Sequence, residues 1–159
     1  SGLYERSTIY ATDINKDCLQ QAKEGIFELA GARVYTANYL AAGGIRNPSD
    51  YYTANYGMAI FSPALKENVV FSDHNLATDG VFGEMHLILC RNVMIYFERE
   101  LQNRVIDLFV RSLAHRGFLG VGGKEDIRFA PSGLYFESLG SGTHLYQKKT
   151  IARAERVSS

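Results

Sequence analysis

Residues 86–97 read His86-Leu87-Ile88-Leu89-Cys90-Arg91-Asn92-Val93-Met94-Ile95-Tyr96-Phe97. His86 to Cys90 shows little polar alternation, the pattern of a strand buried on both faces in a parallel sheet. The run breaks abruptly at Arg91 and Asn92. An unpaired buried Arg is costly, so the chain is expected to emerge there at a polar site. Downstream, Glu98 to Ala114 predicts a helix. Leu101, Val105, Leu108, Phe109 and Leu113 make one apolar stripe, with Glu100–Arg104 and Asp107–Arg111 paired at i, i+4 outside it. Gly117 is expected to end this helix, and Phe118 to Val121 to be the next strand. Strand, helix and strand in that order form a βαβ unit.

Upstream the same logic repeats. Thr8 to Ala11 reads as a strand and Asp13 follows it. Asn15 is placed to cap a helix carrying Leu19, Ala22 and Ile26, with Gly25 as a terminator. Asn68 to Ser72 reads as another strand. Between these, the pattern loosens from Ala41 to Leu65 around Gly43-Gly44, Pro48 and Pro63, with tyrosines at 51, 52 and 56 and a short strand at Met58 to Phe61. Apolar content stays high there, so the stretch reads as an insertion and not a linker. Leu134 to Ser138 and Thr143 to Lys148 flank Gly140-Ser141-Gly142 as an antiparallel hairpin. The expectation is an α/β domain with a mostly parallel sheet and an antiparallel last strand.

Composition narrows the classes. The 159 residues carry 17 basic and 17 acidic side chains, a formal net charge of zero, which argues against nonspecific nucleic-acid binding. Residues 1–80 are net −3 and residues 81–159 net +3. Much of that excess lies in Lys148, Lys149, Arg153 and Arg156, expected to form a solvated end. Cys18 and Cys90 offer neither a disulfide framework nor metal-ligand spacing and are expected in the core. His74, His86, His115 and His144 contain no i, i+4 pair, so no metal site is expected. No apolar run is long enough for a membrane span, and the first residues lack the regions of a secretory leader. A reducing, cytoplasmic setting is expected.

In a parallel sheet, ligands bind beyond the carboxyl ends of the strands. Three positions therefore matter: Asp13, the segment Asp73-His74-Asn75-Leu76, and Arg91-Asn92. A carboxylate at a strand end can accept both hydroxyls of a ribose; equally, Asp13 can serve as a turn or helix cap. The Asn75 amide offers donor and acceptor suited to an adenine edge, or closes an Asx turn. His74 reads as a turn residue. A nucleotide site of this kind usually has a Gly-rich loop after its first strand. Gly120-Val121-Gly122-Gly123 is a candidate by composition, but it lies in and after a late strand with no clear helix following, and is rejected.

The string Cys90 to Phe97, with Ile9-Tyr10-Ala11-Thr12-Asp13-Ile14-Asn15, Asn75-Leu76, the segment Gly117 to Glu125 and the closing Tyr146-Gln147-Lys148, resembles the CheR family of chemotaxis receptor methyltransferases. The resemblance runs over roughly residues 3–149, and only the Cys-Arg-Asn-Val-Met-Ile-Tyr-Phe string is specific by itself. It implies a Rossmann-like class I methyltransferase fold and an S-adenosylmethionine-dependent enzyme that esterifies glutamate side chains on chemotaxis receptors. By position, it implies that Asp13 holds the ribose, Asn75 and Leu76 flank the adenine, and Arg91 and Asn92 lie by the methionine portion. The resemblance likewise implies that Tyr96 faces the reacting centre and aligns the acceptor carboxylate, with Arg91 beside it. The family's inserted subdomain falls at 43–65, and in some members it grips a receptor tail. The chemistry suits these residue types: glutamate is ionised at neutral pH, so desolvation and alignment suffice without a general base.

The family's helical N-terminal region, first strand and Gly-rich cofactor loop are not in this sequence. Residues 1–149 are thus expected to be part of a methyltransferase domain, followed by a tail at 150–159. Such a fragment is expected to be inactive alone, and its exposed strands give it a reason to dimerise. Two other classes stay open: a non-catalytic cofactor-binding or regulatory module built on the same fold, and a dinucleotide-dependent oxidoreductase, in which Asp13 would serve equally well.

Overall fold

A computed structural model describes residues 2–150. Arg153 and Arg156 lie outside them. The chain divides into two compact units, Ser1–Asn75 and Leu76–Ser159.

The first unit contains β1 (Ile9–Asp13), α1 (Lys16–Glu24), β2 (Ile26–Glu28), α2 (Leu29–Ala41), β3 (Tyr52–Asn55), β4 (Met58–Phe61) and β5 (Val69–Asp73). Asn15 caps α1 as its sequence suggests, its side chain accepting from the N–H groups of Asp17 at 2.8 Å and Cys18 at 3.3 Å. Gly25 closes the helix in the left-handed region at φ 71°, a conformation that costs a residue with Cβ more. That reversal corrects one expectation. Ile26 cannot continue the helical stripe and instead begins β2. Cys18 is also exposed, not core. Only Leu19 of α1 is buried, and its neighbour points about 100° further round the helix.

β1 and β5 pair in parallel, from Ile9 opposite Val69 to Asp13 opposite Asp73. The intervening chain forms a separate antiparallel sheet in the order β2-β4-β3. Its β3–β4 hairpin turns through Tyr56 and Gly57, at φ 45° and 77°. The sheet draws in Ile26–Glu28, upstream of the loosened stretch, because Phe27 lies opposite Ala59 and packs edge-on against Phe61, ring centres 5.7 Å apart. Helix α2 had no signal in the sequence, since its apolar residues are spread around the helix without a stripe.

The second unit holds β6 (Met85–Cys90), α3 (Arg99–Ser112), β7 (Leu113–Val121), β8 (Phe136–Ser138) and β9 (Leu145–Lys148), in the sheet order β6-β7-β9-β8. β6 and β7 are parallel, and β9 runs antiparallel to both β7 and β8. The closing hairpin is present as β8 and β9. Parallel pairing does not dominate, however: among the described residues only β1–β5 and β6–β7 are parallel, against four antiparallel pairs.

The apolar core lies here. Val105, Ile106, Phe109, Val110 and Leu113 pack with Cys90, Leu119, Val121, Ile127, Phe136 and Tyr146. Strand β6 is not buried on both faces as expected. Cys90 enters the core, whereas Leu87 and Leu89 are 53% and 65% exposed. The α3 core covers one face of the sheet, so the alternate residues of β6 meet solvent. Nor does Gly117 terminate α3. The helix stops at Ser112 and Leu113 already pairs with Met85, while Arg116 at φ 57° takes up the irregular register before Phe118 meets Leu87. Asp107–Arg111 forms its ion pair at 2.9 Å. Arg104 instead turns to the Thr78 carbonyl at 3.4 Å. Lys148 and Lys149 are not a free solvated end: their Nζ atoms donate to Val110 and Leu113 carbonyls and to Leu134 carbonyl respectively. No helix among the described residues is long and apolar enough to cross a membrane.

Candidate functional site

The second unit builds its polar site at the carboxyl end of β6. Arg91, Asn92 and Val93 are exposed where the strand ends, and Met94–Tyr96 forms a single 3-10 turn. Met94, 3% exposed, anchors this turn in the core, while Tyr96 stands 80% exposed. The strand can change direction so sharply because Asn92 takes φ 60°, a left-handed conformation that Asn tolerates better than most residues. Left-handed Asn92 followed by right-handed Val93 turns successive N–H groups toward one point, the geometry of an anion nest.

A side chain of the protein fills that nest. Glu125, 4% exposed, accepts at Oε1 from the N–H groups of Val93 (2.9 Å) and Met94 (2.8 Å). Its Oε2 accepts from Asn92 (2.9 Å) and from Gly122 (2.5 Å). Burial alone raises this carboxyl group, but the four backbone donors outweigh it and hold Glu125 below the ordinary glutamate value. On the opposite side of the loop, Gln102 of α3 donates from Nε2 to the carbonyls of Met94 (2.9 Å) and Phe97 (3.0 Å). The loop is thus held at its amides by Glu125 and at its carbonyls by Gln102. Beside it lies a cleft of about 250 Å³ whose lining includes Ile95, Gln102, Lys124, Asp126 and Phe129. Arg99 lies over the Phe129 ring, 3.7 Å from its centre.

Glu125 was within the segment that carried the family resemblance but had no role on sequence grounds. Its signal was faint: an acidic residue shortly after Gly122-Gly123, where a strand end gives way to a turn. Gly122 itself has no room for a side chain, since a Cβ there would lie 2.6 Å from Asn92 Oδ1 and 2.7 Å from Glu125 Oε2. The Gly122 N–H is spent on Glu125, so it is not available for a phosphate. Cys90 borders this site from the core. Burial, with the Glu125 charge adding to it, pushes its thiol up to about 12.

In the first unit, Asp13 ends β1 in an exposed position, and its Oδ1 accepts from the N–H of Asn15 at 2.8 Å. It therefore does close a turn, the blander of its two expected readings. Among the described residues its Oδ2 accepts no hydrogen bond, which leaves a carboxylate oxygen facing solvent and chemically suited to a hydroxyl. Asn75 is half-buried at the end of this unit. Leu76, the first residue of the second unit, packs against the core around α3.

Taken separately, each unit carries groups of a kind that S-adenosylmethionine needs: in the first, a carboxylate acceptor at a strand end and an amide; in the second, a guanidinium and an amide on a loop held at its amides and at its carbonyls. Among the described residues there is no cluster of three or more His, Cys, Asp or Glu side chains that could hold a metal ion.

The family model of the CheR methyltransferase, SAM binding domain, matches residues 3–141. The Cher3 protein of Pseudomonas putida, named as a methyltransferase, is 50% identical over 147 residues, 92% of this chain and 54% of that protein. The chemotaxis protein methyltransferase of Salmonella typhimurium is 30% identical over 76% of this chain and 41% of its own length. Chemotaxis protein methyltransferase 2 of Pseudomonas aeruginosa is 31% identical over 74% and 41%. The chain spans about half the length, or somewhat less, of these relatives. With residues 3–141 matched, the chain belongs to the CheR methyltransferase family, as an S-adenosylmethionine-binding domain.

Proposed function

We infer that the protein methylates glutamate side-chain carboxylates of chemotaxis receptors in the cytoplasm, as a protein-glutamate O-methyltransferase. The observation that carries this reading is the loop Arg91–Tyr96, which holds a cation, an amide and an exposed phenol at the carboxyl end of β6 beside a cleft. The names of the relatives point to chemotaxis. S-Adenosylmethionine supplies an electrophilic methyl group when bound. Asp13 accepts hydrogen bonds from the ribose hydroxyls, and Asn75 and Leu76 flank the adenine. Arg91 and Asn92 hold the methionine portion, with Arg91 also bordering the reacting centre. Tyr96 donates its hydroxyl proton in a hydrogen bond to the acceptor carboxylate and so aligns it. The acceptor is ionised at neutral pH, so alignment and exclusion of water carry the rate, and no proton has to be removed.

The chain spans 54% of the length of its 50%-identical relative, so this activity is proposed for the full-length protein. Among the described residues β1 pairs with β5 alone and β6 with β7 alone. Open edges of this sort favour self-association of the isolated chain.

Calorimetric titration of S-adenosylhomocysteine into this chain and into the full-length protein tests the proposal. Binding only to the full-length form supports it. A monomeric chain that methylates receptor by itself contradicts both the self-association and the reading that activity belongs to the full-length protein. Binding to neither form moves the reading to a non-catalytic module, and preference for NAD moves it to an oxidoreductase. In the full-length protein, Tyr96→Phe is expected to slow methyl transfer while S-adenosylhomocysteine binding stays within about twofold, because the lost hydrogen bond is to the acceptor. Unchanged turnover removes Tyr96 from the mechanism.

A further inference from the structure

Glu125 is the one buried charged side chain among the described residues, and the proposed chemistry makes no direct use of it. A buried carboxylate is costly unless its oxygens are satisfied. Here they are satisfied by backbone alone. Three of the four donors are consecutive residues, Asn92, Val93 and Met94, and the fourth is Gly122, some thirty residues on. One carboxylate therefore clasps the loop after β6 to the turn after β7. The residue immediately before the first donor is Arg91, and Tyr96 follows two residues after Met94. Neither Arg91 nor Tyr96 is packed in place by its own side chain, since both are exposed. Their position depends on the backbone to which they are attached.

We propose that Glu125 is a positioning residue of the methyltransferase site: by holding the amides of Asn92, Val93 and Met94 against Gly122, it sets where Arg91 and Asn92 meet the cofactor. The proposal rests on the cofactor reading of that loop given above. It assigns Glu125 no contact with substrate. A glutamine has nearly the same volume but replaces one acceptor oxygen by an NH2 group. That group faces N–H donors, so at least two of the four hydrogen bonds are lost.

The test uses the full-length protein with Glu125→Gln, Glu125→Asp and Arg91→Ala. In Glu125→Gln, amide hydrogen exchange at Asn92, Val93, Met94 and Gly122 is expected to speed up about tenfold or more, while core amides of β7 such as Leu119 keep their protection. The Kd for S-adenosylhomocysteine is expected to weaken about tenfold with the binding stoichiometry still one per chain. A purely structural role gives a different signature: fewer binding-competent molecules, hence reduced stoichiometry at unchanged Kd, and that result overturns the proposal. So does unchanged exchange at the four amides. Glu125→Asp keeps the charge but is one methylene short of spanning both segments. Should the glutamine variant fail to fold, a several-fold weaker Kd in Glu125→Asp supports the proposal and an unchanged Kd refutes it. Arg91→Ala separates the two levels of inference. If the wild type binds but Arg91→Ala leaves Kd unchanged, the cofactor reading of Arg91 fails while the Glu125 result stands on Asn92. A wild type that does not bind S-adenosylhomocysteine overturns that reading and the cofactor half of the proposal; the exchange rates still decide the clasp.

Discussion

Lys148 of β9 places its Nζ 2.7 Å from the carbonyl oxygen of Val110, in the last turn of α3. It also donates to the carbonyl of Leu113 at 2.5 Å. The last carbonyls of a helix have no partners within it and carry the negative end of its dipole, so a half-buried ammonium there is doubly favourable. Lys66 does the same for α1, donating to the carbonyls of Lys23 and Glu24. Replacing Lys148 by Met keeps most of the apolar stem and removes the charge. The expected loss is about 1–2 kcal/mol, seen as a lower urea midpoint at an unchanged slope. An unmoved midpoint would show that solvent satisfies these carbonyls equally well.

The two cysteines differ in chemistry because they differ in environment. Cys18 is exposed on α1 and Cys90 is buried with its thiol pushed up to about 12. Iodoacetamide at pH 8 is expected to modify Cys18 in the native protein and to leave Cys90 intact, with both modified after denaturation. Mass spectrometry of the tryptic peptides reads this directly. Labelling of native Cys90 at the rate of Cys18 contradicts the burial.

Acid is expected to loosen the second unit through its two depressed carboxyl groups. Asp126 is held at about 2, chiefly by its hydrogen bond to the Arg128 side chain, against an ordinary 3.8, and Glu125 lies below 4.5. A carboxyl group whose value falls on folding stabilises the fold above its unfolded value, and that contribution is lost as pH drops through the folded one. Stability should therefore decline between about pH 4.5 and pH 2. The Asp126–Arg128 pair is largely exposed, with side-chain exposures of 44% and 76%, so solvent screens it and its share is small. Urea unfolding at pH 6 and pH 3 is expected to show a weaker pH dependence in Glu125→Gln than in Asp126→Asn; the reverse order would locate the acid sensitivity at the wrong residue.

Gly122 and Gly123 make a paired comparison. A Cβ on Gly122 would sit 2.6 Å from Asn92 Oδ1 and 2.9 Å from its backbone nitrogen, whereas one on Gly123 meets only His144 Nε2, at 3.9 Å. Gly122→Ala should cost about 1–3 kcal/mol by forcing the clasp apart. Gly123→Ala should stay within about 0.5 kcal/mol of wild type. Equal effects in chemical denaturation would mean that the turn adjusts freely.

Much of this could be read from residue order. Asn15 and Gly25 bracket α1 because a side-chain acceptor and a residue free of Cβ act within a few positions of themselves. Val105, Leu108 and Phe109 announce the buried face of α3 because helical period is a local property. The string Cys90 to Phe97 marked the candidate site and, as the match over residues 3–141 shows, the family. Other features were out of reach. Ile26 looks like the end of a helical stripe until Gly25 turns the chain, and β2 exists only because Ala59 and Ile60 arrive beside it. Leu87 and Leu89 read as core, yet burial depends on what covers a face, and α3 packs on the other one.

What the sequence determined by itself was therefore the local grammar: caps, the periodic face of α3, the closing hairpin, and a polar break after β6 with Arg91 and Tyr96 on it. What only the tertiary structure decided was which distant groups meet. Glu125 is one acidic residue among seventeen until the fold sets its carboxylate against three amides of one loop and a fourth from its own turn. Hydrogen bonds between backbone N–H groups and a remote side chain leave no periodic trace in a sequence, because every residue but proline offers the same donor.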